Sequence, residues 1–209
     1  MVNAVIFDLD GTMWDSTSCA SAIWNRVFSR HNEITWEMTK EKAERLMGKT
    51  MEEIGRMLFP DFTEEKRNNI VNEFGSAEVE YLTERGAVLY DGLEETLKIL
   101  SQEYELYIVS NCQDGYVPAF LRAHKLAQYF KDIEMSGRTG LDKGSNIKLL
   151  MERNNIQHAV YIGDTAGDEK ASHIAGIPFI YAAYGFGKAI TPDAVITEIV
   201  ELPECIKKF

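Results

Sequence analysis

Short, wholly apolar runs that end in a polar turn recur along this chain, and they constrain its fold most strongly. Four runs are clear and a fifth is weaker, at residues 4–7, 106–109, 159–162, 178–182 and 194–196. An unbroken apolar run of this length is typical of a strand buried on both faces of a parallel sheet. Helical patterns separate the later runs, and Gly176 stands where it would end one of these helices. The sequence therefore predicts an α/β fold, with a parallel sheet and helices on both of its faces.

One long interval breaks this alternation. Residues 13–109, 97 in all, lie between Thr12 and Ser110, whereas a complete strand–helix–strand unit needs only about 30. The interval carries helical patterns, and the first places Ala20, Ile23, Trp24, Val27 and Phe28 on one face. Threonines suited to begin further helices follow at Thr39, Thr50 and Thr63. We expect an inserted all-helical cap domain at residues 15–86 and a Rossmann-like core formed by residues 1–14 and 87–209.

Composition narrows the classes of function. The chain has 209 residues, and 33 acids against 22 Lys and Arg give it a formal net charge of −11. This excess opposes nonspecific binding to nucleic acid or to an anionic membrane surface. No apolar run approaches the length of a membrane span or fits a secretory signal, which favours a cytoplasmic location. The three cysteines have no spacing typical of a disulfide framework or a zinc site.

Polar side chains follow three of the predicted strands, at the point where each strand ends. In strand order they are Asp8 and Asp10, Ser110 and Asn111, and Asp164 and Asp168. A lysine, Lys143, lies at the start of a predicted helix between the second and third of these strands. Because the carboxyl ends of parallel strands meet at one edge of the sheet, we expect all of these side chains to share one crevice.

Four carboxylates in one crevice repel one another unless a cation offsets their charge. Oxygen ligands of this kind favour Mg²⁺, which keeps some of its waters and bridges to a substrate phosphate. One carboxylate can then attack phosphorus and form an aspartyl-phosphate, while a second protonates the leaving oxygen and later activates water. A lysine, a hydroxyl and backbone N–H groups suit the transferring oxygens. The residues therefore predict phosphoryl-transfer chemistry with Mg²⁺ as cofactor.

The order and spacing of these residues resemble the four motifs of the haloacid dehalogenase-like hydrolase superfamily. The first motif is matched by Asp8-Leu9-Asp10-Gly11-Thr12 directly after a buried strand, and the fourth by Gly163-Asp164 with Asp168 four residues on. Ser110-Asn111 and Lys143 match the two motifs between them. A helical insert between the first two motifs resembles the cap of the phosphoglycolate phosphatase and β-phosphoglucomutase branch. The resemblance spans nearly the whole chain.

The resemblance implies roles for the four aspartates. Asp8 is expected to be the nucleophile and a metal ligand. Asp10 is expected to be the general acid and base, and to touch Mg²⁺ through its backbone carbonyl. Asp164 is expected to bind the metal directly, and Asp168 directly or through water.

The resemblance also implies a phosphate-binding set made of Ser110, Asn111 and Lys143, with Lys143 in addition neutralising Asp8. In the family the lysine is commonly followed by proline, whereas here a glycine follows it. Arg138 and Lys148 therefore remain alternatives for the cationic role.

The predicted function is Mg²⁺-dependent hydrolysis of a small phosphate monoester through a phospho-aspartate. The alternative is a sugar-phosphate phosphomutase similar to β-phosphoglucomutase, because the same groups can return the phosphoryl group to another hydroxyl. A hydrolytic dehalogenase is disfavoured because it needs no metal and no proton donor where Asp10 stands. A receiver-like signalling domain is shorter than this chain and lacks the helical insert. The expected partner is a phosphorylated small metabolite, without nucleic acid or membrane, bound by a monomer or a homodimer.

Three further segments have two interpretations each. In Gly48-Lys49-Thr50, between two predicted cap helices, Lys49 is either a solvated loop residue or a contact to the leaving group. Trp14, just past the first motif, either packs in the core or faces the site. The loop at residues 184–187 either lines the crevice or is a plain tight turn.

Overall fold

The computed structural model describes residues 2–209 and contains a parallel sheet of six strands. The strands within these residues are β1 (Ala4–Phe7), β2 (Trp14–Asp15), β3 (Val88–Leu89), β4 (Glu105–Ser110), β5 (Phe130–Met135), β6 (Ala159–Gly163), β7 (Phe179–Ala182) and β8 (Ala194–Ile196). The six strands of the sheet follow the order β5-β4-β1-β6-β7-β8, and every neighbouring pair is parallel. β1 is therefore central, with β4 on one side and β6 on the other.

The helices lie on both faces of this sheet or in the insert. In chain order they are α1 (Thr17–Phe28), α2 (Lys40–Glu44), α3 (Met51–Leu58), α4 (Glu64–Arg85), α5 (Leu93–Leu100), α6 (Tyr116–His124), α7 (Ser136–Thr139), α8 (Lys143–Arg153), α9 (Ala166–Ala175) and α10 (Leu202–Ile206). Within this set, no helix is long and apolar enough to cross a membrane.

Alternate residues of the central strand face different helices. Val5 and Phe7 of β1 join an apolar cluster with α5, α6 and α10, whereas Ala4 and Ile6 join a second cluster with α8 and α9. All four side chains are essentially inaccessible to solvent, which explains why the strand has no polar alternation. The predicted α/β fold with helices on both faces is confirmed.

The sequence analysis missed one strand of the sheet. β5 lies at the edge next to β4 and is only partly buried over its first four residues. Lys131 and Asp132 interrupt its apolar residues, because an edge strand needs no continuous apolar run. The five expected strands are present, and β8 is the short, weaker one.

The insert has an apolar core of its own. Side chains from α1, α2, α3 and α4 form a third cluster, in which the rings of Trp24 and Phe74 lie 4.5 Å apart. Side chains of Thr39, Thr50 and Thr63 cap α2, α3 and α4, as the sequence predicts. The chain leaves the core through β2 and re-enters it through β3, and these two short strands pair antiparallel. The helical insert thus joins the rest of the chain through a pair of short antiparallel strands.

Candidate active site

Asp8 stands at the carboxyl end of the central strand. It directly follows β1, its backbone N–H donates to the carbonyl of Ile162 at 2.8 Å, and its side chain is buried. The Nζ of Lys143 lies 2.8 Å from Asp8 Oδ1 and 2.5 Å from Asp168 Oδ1. Lys143 begins α8, where the Asp142 side chain caps the helix by accepting from the Ser145 N–H. The cap thus fixes the point from which the lysine reaches both carboxylates.

Neither alternative cation is placed like Lys143. Arg138 is partly exposed and pairs with Asp114 and Glu134, and Lys148 is exposed on α8. The glycine after Lys143 has a packing reason, because a Cβ at Gly144 would lie 2.8 Å from Cγ2 of Ile174 in α9. Proline carries such a Cβ, so the family's usual residue does not fit against α9 here.

Three carboxylates converge beside the lysine. One oxygen from each of Asp8, Asp164 and Asp168 lies within 4.8 Å of the others, and all three residues are buried. Among residues 2–209, Asp8 Oδ2 and Asp164 Oδ1 have no hydrogen-bond partner. Buried oxygens of this kind are costly unless something positive binds them. Hard carboxylate oxygens in this arrangement fit a divalent cation such as Mg²⁺.

The directions of the pKa shifts in this cluster indicate a shortage of positive charge. Burial, followed by the charge of Asp168, raises the pKa of Asp8 to about 7, although Lys143 opposes both effects. Burial, followed by the charges of Asp168 and Asp8, also raises the pKa of Asp164. Burial alone would lower the pKa of Lys143, but the charges of Asp168 and Asp8 outweigh it and raise that pKa. A charged lysine therefore faces more acid than it can offset.

Asp168 has a different set of partners. Its Oδ2 accepts from the N–H of Thr165 at 3.0 Å and from the Thr165 hydroxyl at 2.6 Å, and its Oδ1 accepts from Lys143. Thr165 in turn caps α9 by accepting from the Asp168 N–H. Both Asp168 oxygens are thus engaged by protein donors, and this mutual capping holds the carboxylate at the start of the helix.

Asp10 is held by neutral donors. Its Oδ1 accepts from Trp14 Nε1 at 2.8 Å, from Ser16 Oγ at 2.5 Å and from the Tyr116 hydroxyl at 3.0 Å. Burial raises the pKa of Asp10, and these three hydrogen bonds oppose that effect. Trp14 is therefore a contact of Asp10, which its sequence position left open. Ser16 and Tyr116 were missed, because a serine before a helix and a tyrosine 106 residues away carry no motif.

The loop at residues 184–187 lines the site through its backbone. The N–H groups of Phe186 and Gly187 donate to Asp164 Oδ2 at 2.7 and 3.3 Å. Gly11 approaches the same carboxylate: its φ is +82°, and a Cβ there would lie 2.3 Å from Asp164 Oδ2. Only glycine combines that backbone conformation with that approach. The glycine of the first motif thus makes room for an aspartate of the fourth.

The cap contacts the core at the second motif. Ser110 is buried at the end of β4. The Asn111 side chain donates to the carbonyl of Gly48 at 2.8 Å and accepts from the Ser136 hydroxyl at 2.9 Å. Lys49, next to Gly48, is half-buried and lines a small cavity together with Asp8, Asp10 and Ser110. The cap loop therefore lies over the carboxylates.

A fifth buried acid comes from the cap. Glu78 of α4 is 3% exposed, and its Oε2 accepts from Gln113 Nε2 at 3.0 Å. Burial raises the pKa of Glu78 to about 8, although the Gln113 hydrogen bond opposes this. The sequence analysis missed Glu78 because an acid on a long polar helix is ordinarily solvated.

The fold and the site together define a class of protein: an α/β enzyme with a buried acidic site at the carboxyl end of its sheet, covered by a helical insert. The sequence model of the haloacid dehalogenase-like hydrolase family matches residues 5–182. The chain belongs to this family, which confirms the resemblance seen in its motifs.

Named relatives span almost the whole chain. A phosphoglycolate phosphatase from Vibrio vulnificus (strain YJ016) is 26% identical over 225 residues, which cover 98% of this chain and 96% of the relative. A phosphoglycolate phosphatase from Escherichia coli (strain K12) is 25% identical and covers 96% and 91%.

Solved structures share the fold. A protein described as a predicted phosphatase from Clostridium acetobutylicum superimposes with a TM-score of 0.85, at 24% identity over 100% of both chains. CbbY from Rhodobacter sphaeroides, solved with xylulose 1,5-bisphosphate, superimposes with a TM-score of 0.82, at 19% identity over 97% and 96%.

Proposed function

We propose that this protein is a Mg²⁺-dependent phosphatase that hydrolyses a small phosphate monoester through a phospho-aspartate on Asp8. One observation carries the proposal: Asp8 is buried, contacts Lys143 and shares a cluster with Asp164 and Asp168 in which two buried carboxylate oxygens suit a divalent cation. The relatives named as phosphoglycolate phosphatases support the same reaction class.

The metal would be held by Asp8 and Asp164, by Asp168 directly or through water, and by the backbone carbonyl of Asp10. When bound, Mg²⁺ would neutralise the carboxylates and hold a substrate phosphate oxygen. Because both oxygens of Asp168 already accept from protein donors, we favour contact through water for this residue.

The chain's own residues would carry the reaction in two halves. A carboxylate oxygen of Asp8 attacks phosphorus, and the carboxyl of Asp10 gives its proton to the leaving oxygen. In the second half Asp10 takes a proton from the water that attacks the phospho-aspartate. The Lys143 ammonium and the Ser110 hydroxyl hold phosphate oxygens. Asn111 would contribute its backbone N–H, because its side chain bonds Gly48 and Ser136.

We also propose the domain division 1–14 and 87–209 for the catalytic core and 15–86 for the cap. The separate apolar cluster of the insert and its two-stranded connection support this division. A cap that closes over the leaving group would exclude water from the first half-reaction. A cytoplasmic location and a monomeric or homodimeric state stay predictions.

A phosphate-release screen tests the proposal. Phosphoglycolate, hexose phosphates and an aryl phosphate would be incubated with Mg²⁺ or with EDTA, with the Asp8→Asn variant as control. We expect phosphate release that requires Mg²⁺ and falls by at least about a thousandfold in Asp8→Asn. Conversion of a hexose phosphate to its isomer without phosphate release would instead identify a phosphomutase. Turnover that survives Asp8→Asn contradicts the proposal.

A further inference from the structure

Two cavities of very different size meet where the cap contacts the core. The small one, about 30 Å³, is lined by Asp8 and Asp10 from the core and by Lys49 and Glu78 from the cap. The other, about 700 Å³, lies between α3 and α4 of the cap and the loops that follow β4 and β5. The small cavity has room only for small groups, whereas the large one suits a sizeable ligand. What separates the two cavities therefore controls how large a leaving group the site can hold.

The Gln113 side chain stands at this boundary. Both cavities share it as a lining residue, together with Met51, Asn111 and Cys112. Its Nε2 donates to Glu78 Oε2 at 3.0 Å and to the carbonyl of Gly75 at 3.3 Å. Both acceptors belong to α4, so one amide from the core is fixed to the cap at two points.

The Gln113 side chain also lies close to Gly75 of α4. A Cβ at Gly75 would lie 3.1 Å from Cε of Met51 and 3.8 Å from the Gln113 side chain. Glu78 is buried, so moving Gln113 aside would leave a buried carboxyl oxygen without its donor. A buried polar group that loses its partner carries a substantial penalty. The amide is therefore held in place by its two hydrogen bonds to α4.

We propose that Glu78 and Gln113 form a wall that limits the leaving group to a few carbon atoms. The inference rests on the proposed phosphatase function, and it assigns a specificity role to two residues outside the catalytic motifs. A small leaving group stays on the Asp10 side of the wall. A bulky one has to displace the Gln113 side chain and enter the large cavity.

The walls of the large cavity determine which bulky ligand suits the test. Its acidic lining residues are Glu52, Glu80 and Asp114, and its described lining includes no Lys or Arg. An uncharged leaving group enters such a cavity more readily than an anionic one. Adenosine 5′-monophosphate, which leaves as an uncharged nucleoside, is therefore the bulky probe, and glycerol phosphate is the small one.

The experiment measures kcat/KM for both probes with Mg²⁺ and compares their ratio, bulky over small. Removing the amide in Gln113→Ala should raise the ratio by roughly ten- to a hundredfold, because no hydrogen bonds then have to be broken. Glu78→Ala should raise it in the same direction. Glu78→Gln keeps an acceptor for the Gln113 amide and should keep the wild-type ratio. Gln102→Ala, at an exposed glutamine far from the cap, is the matched control. Circular dichroism melting shows that each variant is folded.

The possible results distinguish a failure of the proposed wall from a failure of the proposed phosphatase function. If the ratio in Gln113→Ala stays within about twofold of the wild-type ratio while glycerol phosphate is still hydrolysed, the proposed wall is wrong but the phosphatase function stands. A wild-type protein that hydrolyses both probes equally well also overturns the wall. If the ratio rises equally in Gln102→Ala, the effect is not specific to Gln113, and the proposed wall is again wrong. If the wild type hydrolyses no ester at all, the phosphatase function fails, and the wall fails with it.

Discussion

Asp8 and Asp10 are two residues apart and both buried, but their surroundings are chemically different. Asp8 faces the Lys143 ammonium and the other carboxylates of the cluster, whereas one oxygen of Asp10 faces three neutral donors. Pairs of acids in different environments are how one site divides nucleophilic and proton-transfer roles. The proposed roles, Asp8 as nucleophile and Asp10 as acid and base, therefore follow from the contacts of the two residues as well as from their order in the motif.

Metal binding should be visible without turnover. We expect about 5 mM Mg²⁺ to raise the melting temperature by roughly 2–5 °C, because a ligand that binds only the folded state stabilises it. Asp164→Asn should lose most of this increase, since it removes one carboxylate of the cluster. Asp61→Asn, at an exposed aspartate, should respond like the wild type. Equal responses of all three proteins would remove the metal site from this cluster.

Lys49 tests the function of the cap loop. Lys49→Ala should lower kcat/KM for the physiological substrate by roughly ten- to a hundredfold, about the loss of one charged hydrogen bond. Hydrolysis of an aryl phosphate, whose leaving group makes no use of that contact, should barely change. If kcat/KM falls equally for both substrates, Lys49 acts on closure or folding. If neither does, it is a solvated loop residue.

Helix α8 shows how packing overrides a family pattern. It brings Lys143 to the site while Gly144 lies against Ile174 of α9. Glycine is ordinarily a poor helix residue, but here the absence of a Cβ permits the close approach of two helices. Lys143 is thus explained by its contacts in the site, whereas Gly144 is explained by the packing of α8 against α9.

Gly144→Ala should therefore destabilise the protein rather than stabilise it. We expect a loss of about 1–3 kcal/mol in the free energy of unfolding, because the new methyl group would overlap Ile174. In the Ile174→Ala background the same substitution should cost much less, since the overlapping side chain is gone. Urea denaturation of the four proteins of this cycle measures both effects. Additive losses would show that Ile174 is not the cause.

The extent to which sequence predicts this structure differs between elements. Buried central strands were predictable because they are wholly apolar, whereas β5 was missed because it is a mixed edge strand. Threonine caps predicted the starts of α2, α3 and α4. Within the site, motif residues were predictable because they follow strands, but Tyr116 and Glu78 become neighbours of the motif residues only through tertiary folding. Their individual positions carry no signal that local patterns can detect.

Over the whole molecule, the cap and core are joined by polar contacts at the site. Asn111 binds the loop at Gly48, and Gln113 binds Glu78 and Gly75 of α4. Apolar packing adds to these hydrogen bonds, because Leu82 of α4 belongs to the apolar cluster of the core and Val79 packs against it.

The buried acid of the cap makes stability depend on pH. Glu78 has a pKa of about 8 in the folded protein against an ordinary value of 4.5, so the folded state holds this proton longer than the unfolded one. The stability that protonated Glu78 contributes to the folded state is fully present below pH 4.5 and is lost as the pH rises toward 8. Glu78→Gln should therefore gain stability over the wild type as the pH rises.

The expected gain is nearly absent at about pH 4 and reaches at most roughly 5 kcal/mol above about pH 8. Urea denaturation of the wild type and Glu78→Gln across this range measures it. Glu80→Gln, at an exposed glutamate of the same helix, should show no such trend. A gain independent of pH would mean that Glu78 is not a buried acid of raised pKa.

The covalent step on Asp8 can be observed as a change in the mass of the intact protein. Asp10→Asn and Asp8→Asn would each be mixed with an aryl phosphate and Mg²⁺, then quenched in acid. An aryl leaving group needs no proton, so Asp10→Asn should still transfer the phosphoryl group but fail to activate water. We expect Asp10→Asn to carry an adduct of about 80 Da, one phosphoryl group, and Asp8→Asn to carry none. Equal adducts on both variants, or an adduct on Asp8→Asn alone, would contradict Asp8 as the nucleophile.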